Sequence, residues 1–429
     1  MERFISLFGL FVMIGLAWLM SSNKKRVDVR IIVGGLLLQF LFAGVMLWTP
    51  PWRSAPVGEW LSNGISLFFN ELQGFVEAGS GFMFGINPRP GEEGLPPSIS
   101  LLRSFAFGVL PTVVVFSSLM SVLYYFGLMQ MVVQVMARVM QKVLHVSGAE
   151  SLSAAANVFV GHTEAPLVIK PYLQGMTLSE LNAVMVGGFA TISGGLLAAY
   201  AGMGIDAGHL VTASVISAPA ALLLAKIMQP ETETPETLGT IKVSTPRQGV
   251  NVIEAAAIGA TDGMKLAMNI AAMLIAFLAL IAMLDALIGW VGWQLYFRTG
   301  SGESAWSLAA ALGYSFAPIA WLMGIESGDC LRAGELLGLK TVANEFIAFD
   351  QLGRWVQTDS AVELSPRTVK IMTYALSGFA NFGAIGIQIG GIGGLAPERR
   401  SDLARLGLRA MIGGALACCM TACVAGVLI

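Results

Sequence analysis

The chain has 429 residues, 55% of them hydrophobic and only 12% charged, with a mean hydropathy of +0.72. Soluble domains carry about 25% charge, so too few polar side chains are present to cover a water-facing surface, and a soluble enzyme is excluded. The net charge of -2 gives no basic bias toward nucleic acid. Cys330, Cys418, Cys419 and Cys423 are too few and too clustered for a disulfide framework. Fifty glycines exceed the usual share of about 7%, an excess that suits close helix approach and broken helices in a bilayer.

The apolar stretch at 2 to 20 is followed by Ser21-Ser22-Asn23-Lys24-Lys25-Arg26, not by a small-residue cleavage site, and reads as a retained span. Further stretches long enough to cross about 30 Å of hydrocarbon run near 31 to 49, 104 to 128, 178 to 200, 208 to 228, 264 to 290, 369 to 394 and 403 to 428, making eight. Lys24, Lys25, Arg26 and Arg30 place the first loop in the cytoplasm, as Arg399, Arg400, Arg405 and Arg409 do for the last. By parity the loop at 229 to 248, with Lys242 and Arg247, shares that side, the turn at Asp206 lies outside, and both termini are periplasmic. The connection carrying Arg332, Lys340, Arg354 and Arg367 then falls outside, which is tolerable because long connections escape the charge rule.

Between spans three and four, Gln134, Arg138, Gln141 or Lys142, and His145 recur at helical spacing against Met131, Val135, Met136, Val139, Met140 and Val143. That pattern predicts an interfacial amphipathic helix. Residues 151 to 171 are then apolar except for Gly161-His162-Thr163-Glu164-Ala165-Pro166 at their middle. Each half is too short to span, so this is a re-entrant hairpin, whose irregular backbone must be enclosed by protein or line a cavity. The same order recurs: a hydrophobic helix near 306 to 323, then a broken segment at 329 to 352 containing Thr341-Val342-Ala343-Asn344-Glu345-Phe346. Gly188-Phe189-Ala190-Thr191-Ile192-Ser193-Gly194-Gly195 in span four also parallels Gly378-Phe379-Ala380-Asn381-Phe382-Gly383 in span seven. An odd number of spans separates the units, so they run oppositely through the membrane. This is the inverted repeat of secondary transporters, with the binding site expected where the broken elements meet near the midplane.

Glu164 and Glu345 occupy equivalent places in the two hairpins. A carboxylate at membrane depth costs a few kcal/mol, which points to substrate, cation or proton binding; the competing reading is a hairpin tip that reaches solvent. Asn157 and Thr191 each place an oxygen near a broken helix, where the carbonyls of Val160 and Ile192 could complete a neutral shell suited to Na⁺. A helix cap and a packing hydroxyl are the alternatives. His162, between Gly161 and Thr163, is a pocket-wall donor, a proton carrier or a satisfied core residue. Asn381 suits a polyhydroxylated ligand or an interhelical hydrogen bond. Phe189 and Phe379 pack or stack on a planar ligand, and Asp262 and Lys265 flank the start of span six and snorkel.

Three of these segments resemble the motifs of concentrative nucleoside transporters: Ser153-Ala154-Ala155-Ala156-Asn157-Val158-Phe159-Val160-Gly161-His162-Thr163-Glu164-Ala165-Pro166, Gly338-Leu339-Lys340-Thr341-Val342-Ala343-Asn344-Glu345-Phe346, and Gly378-Phe379-Ala380-Asn381-Phe382-Gly383. The resemblance covers nearly the whole chain. It implies a homotrimer in which a transport domain moves as an elevator against a scaffold. It further implies Na⁺ at Asn157, Val160, Thr191 and Ile192, a base met by His162, Thr163, Glu164 and Leu196, and a ribose met by Glu345, Phe379 and Asn381. The chain departs from the family pattern at His162, where Gln is usual, and at Ala384, where Ser is usual. Base preference and ribose binding are the properties those departures touch.

The expected protein is therefore an all-α, multi-pass transporter of a bacterial inner membrane, with eight transmembrane helices, two re-entrant hairpins and interfacial helices. Residues 1–128 hold scaffold spans one to three, 129–228 the first transport repeat, 229–303 a cytoplasmic loop and scaffold span six, and 304–429 the second transport repeat. Its partners are nucleosides, lipid and further copies of itself, not nucleic acid. Na⁺ is the coupling ion, with no organic cofactor; the alternative is proton coupling through Glu164 or His162. An intramembrane enzyme is disfavoured because neither a His-Glu-x-x-His run nor a Gly-x-Ser-x-Gly elbow occurs, and a channel because no ring-type filter sequence does.

Overall fold

Backbone amides in hydrocarbon must pair within their own segment, and every apolar stretch among the described residues is accordingly helical. The computed structural model describes residues 1–48, 58–84, 109–239, 249–294, 307–356 and 362–429. Helices α1 (Glu2–Leu19) and α2 (Val29–Leu47) are the first two spans, and α3 (Glu59–Phe84) follows them. Next, α4 (Leu110–Tyr125) bends by 78° into α5 (Leu128–Leu144). The first hairpin is α6 (Gly148–Asn157) and α7 (Ala165–Val168); α8 (Leu178–Ala190) and α9 (Gly194–Gly202) form broken span four, and α10 (Ala207–Met228) is span five. After α11 (Val252–Gln294) and α12 (Leu308–Leu322) come the second hairpin, α13 (Cys330–Val342) and α14 (Glu345–Val356), the broken span α15 (Pro366–Leu376) and α16 (Phe382–Leu395), and α17 (Arg400–Leu428).

Six helical stretches among the described residues are long and apolar enough to cross a membrane: α1, α2, α8 with α9, α10, α11 and α17. The bent α4–α5 pair, counted as one span, makes a seventh, and α12 and α16 are shorter apolar helices. The core sits on α8 and α10, buried along nearly their whole lengths, and on α17 from Ala410 to Gly426. Exposed Ile275, Leu278, Leu280 and Met283 on α11 leave that helix at the periphery.

A charged knot fastens one end of this core. Lys226 Nζ lies 2.7 Å from Glu150, 3.2 Å from Glu231 and 3.0 Å from the Ser179 hydroxyl, with Lys226 and Glu150 both buried. Glu150 and Glu180 also close capping boxes with Ser147 and Thr177, so α6, α8 and α10 are joined at their ends.

The structure differs from the sequence expectations in four places. Helix α3 was not expected, because Glu59, Asn63, Asn70, Glu71 and Gln73 break up its hydropathy; Phe69, Leu72 and Val76 form its buried stripe. Helix α11 begins at Val252, not near 264, so Asp262 and Lys265 stand inside the helix, paired at 3.3 Å and largely exposed. On α5 the stripe Met131, Val135 and Val139 is exposed, and Met129, Val133, Ala137, Met140 and Leu144 face the protein. The first hairpin begins at Gly148, three residues before the expected start. Lys242, Arg247, Trp306 and residues 104–108 lie outside the described residues.

Candidate functional site

In the first hairpin a run of small residues, Ala154 to Ala156, lets α6 pack closely, and the helix ends at Asn157. The turn that follows folds on itself, with the Gly161 N–H donating to Glu164 Oε2 at 3.0 Å. It is fastened to the break of span four by the Gly194 N–H, which donates to the Phe159 carbonyl at 3.1 Å. A Cβ at Gly194 would stand 2.6 Å from that same oxygen, so only glycine fits where the two elements meet.

At this break Thr191 is extended, with φ -123° and ψ 159°, and Ser193 caps α9 by accepting from the Leu196 N–H. The second repeat uses the same device: Asn381 is extended and its Oδ1 accepts from the Ala384 N–H at 2.8 Å, capping α16. The two breaks touch. A Cβ at Gly378 would lie 2.8 Å from the Phe189 carbonyl oxygen and 2.5 Å from Cys418 Sγ. The Cys418 thiol itself reaches the carbonyls of Ala190 and Ser377 at 3.6 and 3.7 Å, the final turns of α8 and α15. Lys340, buried on α13, donates to the Ala375 carbonyl at 2.7 Å, a cation placed at the negative end of the α15 dipole.

Around the crossing, Glu345 is 4% exposed and accepts from the Tyr200 hydroxyl at 3.1 Å and from Asn381 Nδ2 at 3.2 Å. Asn344 caps α14 by accepting from the Ile347 N–H at 2.9 Å. The His162 ring stands edge-on to Phe379, centroids 4.6 Å apart, which brings the first hairpin against the break of span seven. Neither nitrogen of His162 has a partner. Thr163 abuts Gly391 of α16, where an added Cβ would lie 3.3 Å from its methyl group.

Glu164 faces a cavity of about 410 Å³, with Val160 and Ser193 on its own side and Phe116, Tyr124 and Asp262 from α4 and α11 opposite. Glu345 is not among the residues lining that cavity; Tyr200 and Asn381 occupy its carboxylate. The two carboxylates therefore do different things here, one facing a cavity and one held in a hydrogen-bonded set.

For the cation, Asn157 is 1% exposed and its Oδ1 has no partner. A Cβ on Gly187 would lie 3.3 Å from Asn157 Nδ2, and the Gly187 carbonyl accepts from the Thr191 hydroxyl at 2.9 Å, so both side chains flank the same residue of α8. An unpaired, fully buried amide oxygen among neutral groups fits a small hard cation, since leaving such an acceptor unpaired costs about 1–3 kcal/mol. Leu196 is buried on α9. Phe189 is fully buried and packs, whereas Phe379 meets His162.

Sequence reasoning did not find Tyr200, Lys340 or the place of Asp262. Lys340 lies inside a quoted motif and so left a signal; Tyr200 is indistinguishable from a packing aromatic until the fold sets it against Glu345.

Three family models match along the chain: Na⁺ dependent nucleoside transporter N-terminus over residues 8–87, nucleoside recognition over 106–207, and Na⁺ dependent nucleoside transporter C-terminus over 209–426. The chain is 44% identical to an uncharacterized transporter of Haemophilus influenzae, over 99% of this chain and 97% of that one. It is 41% identical to sodium/nucleoside cotransporter 1 of Mus musculus over 100% of this chain, spanning 64% of that relative. The fold matches the structure of CNTnw in an inward-facing substrate-bound state with a TM-score of 0.87, at 39% identity over 100% of this chain and 98% of that one.

Proposed function

Because the chain belongs to the Na⁺-dependent nucleoside transporter family, we propose that it imports nucleosides across a bacterial inner membrane, coupled to Na⁺ by alternating access. The observation that carries this reading is the set built on Glu345. Its carboxylate is held by Tyr200 and Asn381, one from each repeat, and these are the groups a ribose would engage, its hydroxyls donating to the carboxylate and accepting from the amide. His162 and Phe379 close the adjoining wall, an edge against which a planar base can lie. Thr163, Glu164 and Leu196 complete the base end.

Na⁺ is bound as cargo by Asn157 and Thr191 side chains with the carbonyls of Val160 and Ile192. These groups sit where the hairpin tip joins the span-four break. Binding the cation there orders the tip, and the ordered tip presents His162, Thr163 and Glu164 to the base. Ion and nucleoside affinity are thereby coupled, and the coupling is reciprocal.

The transport domain comprises α5 to α10 and α12 to α17, and the scaffold α1 to α4 with α11. The close zipper of α4 and α11 supports a rigid scaffold: a Cβ at Gly259 or Gly263 would collide with the α4 backbone. The cavity between that pair and the first hairpin supports movement of one body past the other. The apolar α11 face suits a trimer seam or lipid, and both termini are placed on the periplasmic side. Uptake of labelled uridine into proteoliposomes tests the function: accumulation should require an inward Na⁺ gradient. Accumulation in choline driven by an inward proton gradient would assign the coupling to the proton instead.

A further inference from the structure

Gln388 is a buried amide without a role in the site as described. It is 1% exposed and lies on α16 at the third and seventh positions' register from the capping Asn381: Asn381, Ala384 and Gln388 share one helix face. Helical side chains lean toward the N-terminus of their helix, so the Gln388 amide reaches back toward the turn that carries Ala384 and Asn381. Its Nε2 donates to the Met185 carbonyl at 3.2 Å. A carbonyl can only accept, and this fixes which way the amide faces. The remaining atom, Oε1, is buried and has no partner.

The same neighbourhood holds the two unpartnered nitrogens of His162. A Cβ on Gly188 would lie 2.7 Å from Gln388 Nε2 and 2.8 Å from His162 Cβ, so the two side chains are neighbours over one glycine of α8. The two neighbouring side chains thus carry three buried polar atoms open to hydrogen bonds from a ligand. Gln388 Oε1 is an acceptor whichever tautomer His162 takes.

Resting on the nucleoside reading above, we propose that Gln388 is a specificity-determining residue: its Oε1 accepts a hydrogen bond from an exocyclic amino group of the base, alongside His162. The substrate class is then the amino-bearing nucleosides, cytidine and adenosine, in preference to uridine and inosine, which present a carbonyl at the same position. A carbonyl facing Oε1 sets acceptor against acceptor, and a site built to receive a donor rejects the analogue that lacks it.

Dissociation constants of the full-length protein in Na⁺ decide this. Cytidine and uridine differ at the 4-position in an amino group against a carbonyl, and wild type should bind cytidine roughly tenfold tighter, the discrimination of about one buried hydrogen bond. Gln388→Met keeps the volume and removes the acceptor. It should bring the cytidine:uridine ratio to near unity, cytidine losing its hydrogen bond and uridine its acceptor clash, a selective shift that loss of a mere α8–α16 tie would not produce. The ribonucleoside of pyrimidin-2-one, which has no 4-substituent, provides a comparison on wild type that needs no variant to fold: it should bind roughly tenfold more weakly than cytidine. An unchanged ratio in Gln388→Met, equal wild-type binding of cytidine and uridine, or equal binding of cytidine and the pyrimidin-2-one nucleoside overturns the assignment and leaves the nucleoside reading standing. Wild type that binds no nucleoside in Na⁺ overturns both.

Discussion

The Tyr200 hydroxyl donates to the Glu345 carboxylate at 3.1 Å, from α9 of the first repeat to α14 of the second. Asn381 donates to the other oxygen at 3.2 Å, so the carboxylate is oriented before any ligand arrives, and a hydroxyl bound to it need not reorganise the pocket. A hydrogen bond to a charged group contributes about 1.5–3 kcal/mol. Tyr200→Phe, which removes only the oxygen, should weaken uridine binding roughly tenfold or more and lower thermal stability, the protein remaining folded. Titration of the purified variant checks this, and wild-type affinity would show that Tyr200 does not orient the acceptor.

The two glutamates should both be needed but for different reasons. Glu345→Gln leaves the shape of the hydrogen-bonded set and removes the charge, and should abolish nucleoside binding. Glu164→Gln, at the base end beside the cavity between the first hairpin and α4 with α11, should weaken nucleoside binding and abolish accumulation with folding largely intact. Binding and uptake measured on both variants separate these effects. Wild-type uptake by both would remove the carboxylates from the mechanism.

The buried Lys226 knot is a stability feature. Removing one partner of a buried ion pair leaves an uncompensated charge and costs about 3–5 kcal/mol. Lys226→Met should lower the melting temperature sharply, because Glu150 at 2.7 Å loses its counter-charge. Adding Glu150→Gln should recover part of that loss. A double variant no more stable than the single one would mean that the pair acts independently.

His162 stands edge-on to Phe379 with both ring nitrogens open. If it contacts the base, His162→Gln should change the ranking of uridine, cytidine and adenosine, because an amide offers a carbonyl and an amino group in place of one donor and one acceptor. Affinities for the three nucleosides in wild type and variant check this; an unchanged ranking with lower stability would make His162 a core residue.

The hairpins and the two broken spans were legible because a charge, an amide or a glycine interrupts each apolar run at matching positions in the two repeats. Glu164, Glu345, Thr191 and Asn381 stand out for that reason. Their pairings were not legible. Asn381 could be read as a ligand contact or an interhelical bond, and the structure gives it a bond to Glu345 and a cap on α16 at once. Thr191 bonds to the carbonyl four residues before it, a local choice that a motif does not reveal. Polar residues on the exposed side of α11, Glu254, Asp262 and Lys265, depress the hydropathy of its first turns and hid the true start of the helix. Distances across the molecule, such as Tyr200 to Glu345, are set by packing of segments 145 residues apart.

The central claim is that Na⁺ and nucleoside bind as a coupled pair, through the open Asn157 Oδ1 beside the span-four break. The direct measurement is isothermal titration of the purified protein with a nucleoside it binds, in NaCl and in choline chloride at equal ionic strength and pH, followed by the reciprocal Na⁺ titration with and without nucleoside. The account predicts nucleoside affinity at least tenfold higher in Na⁺, Na⁺ affinity raised by the same factor when nucleoside is present, and loss of both effects in Asn157→Ala. Equal nucleoside affinity in Na⁺ and choline would contradict it.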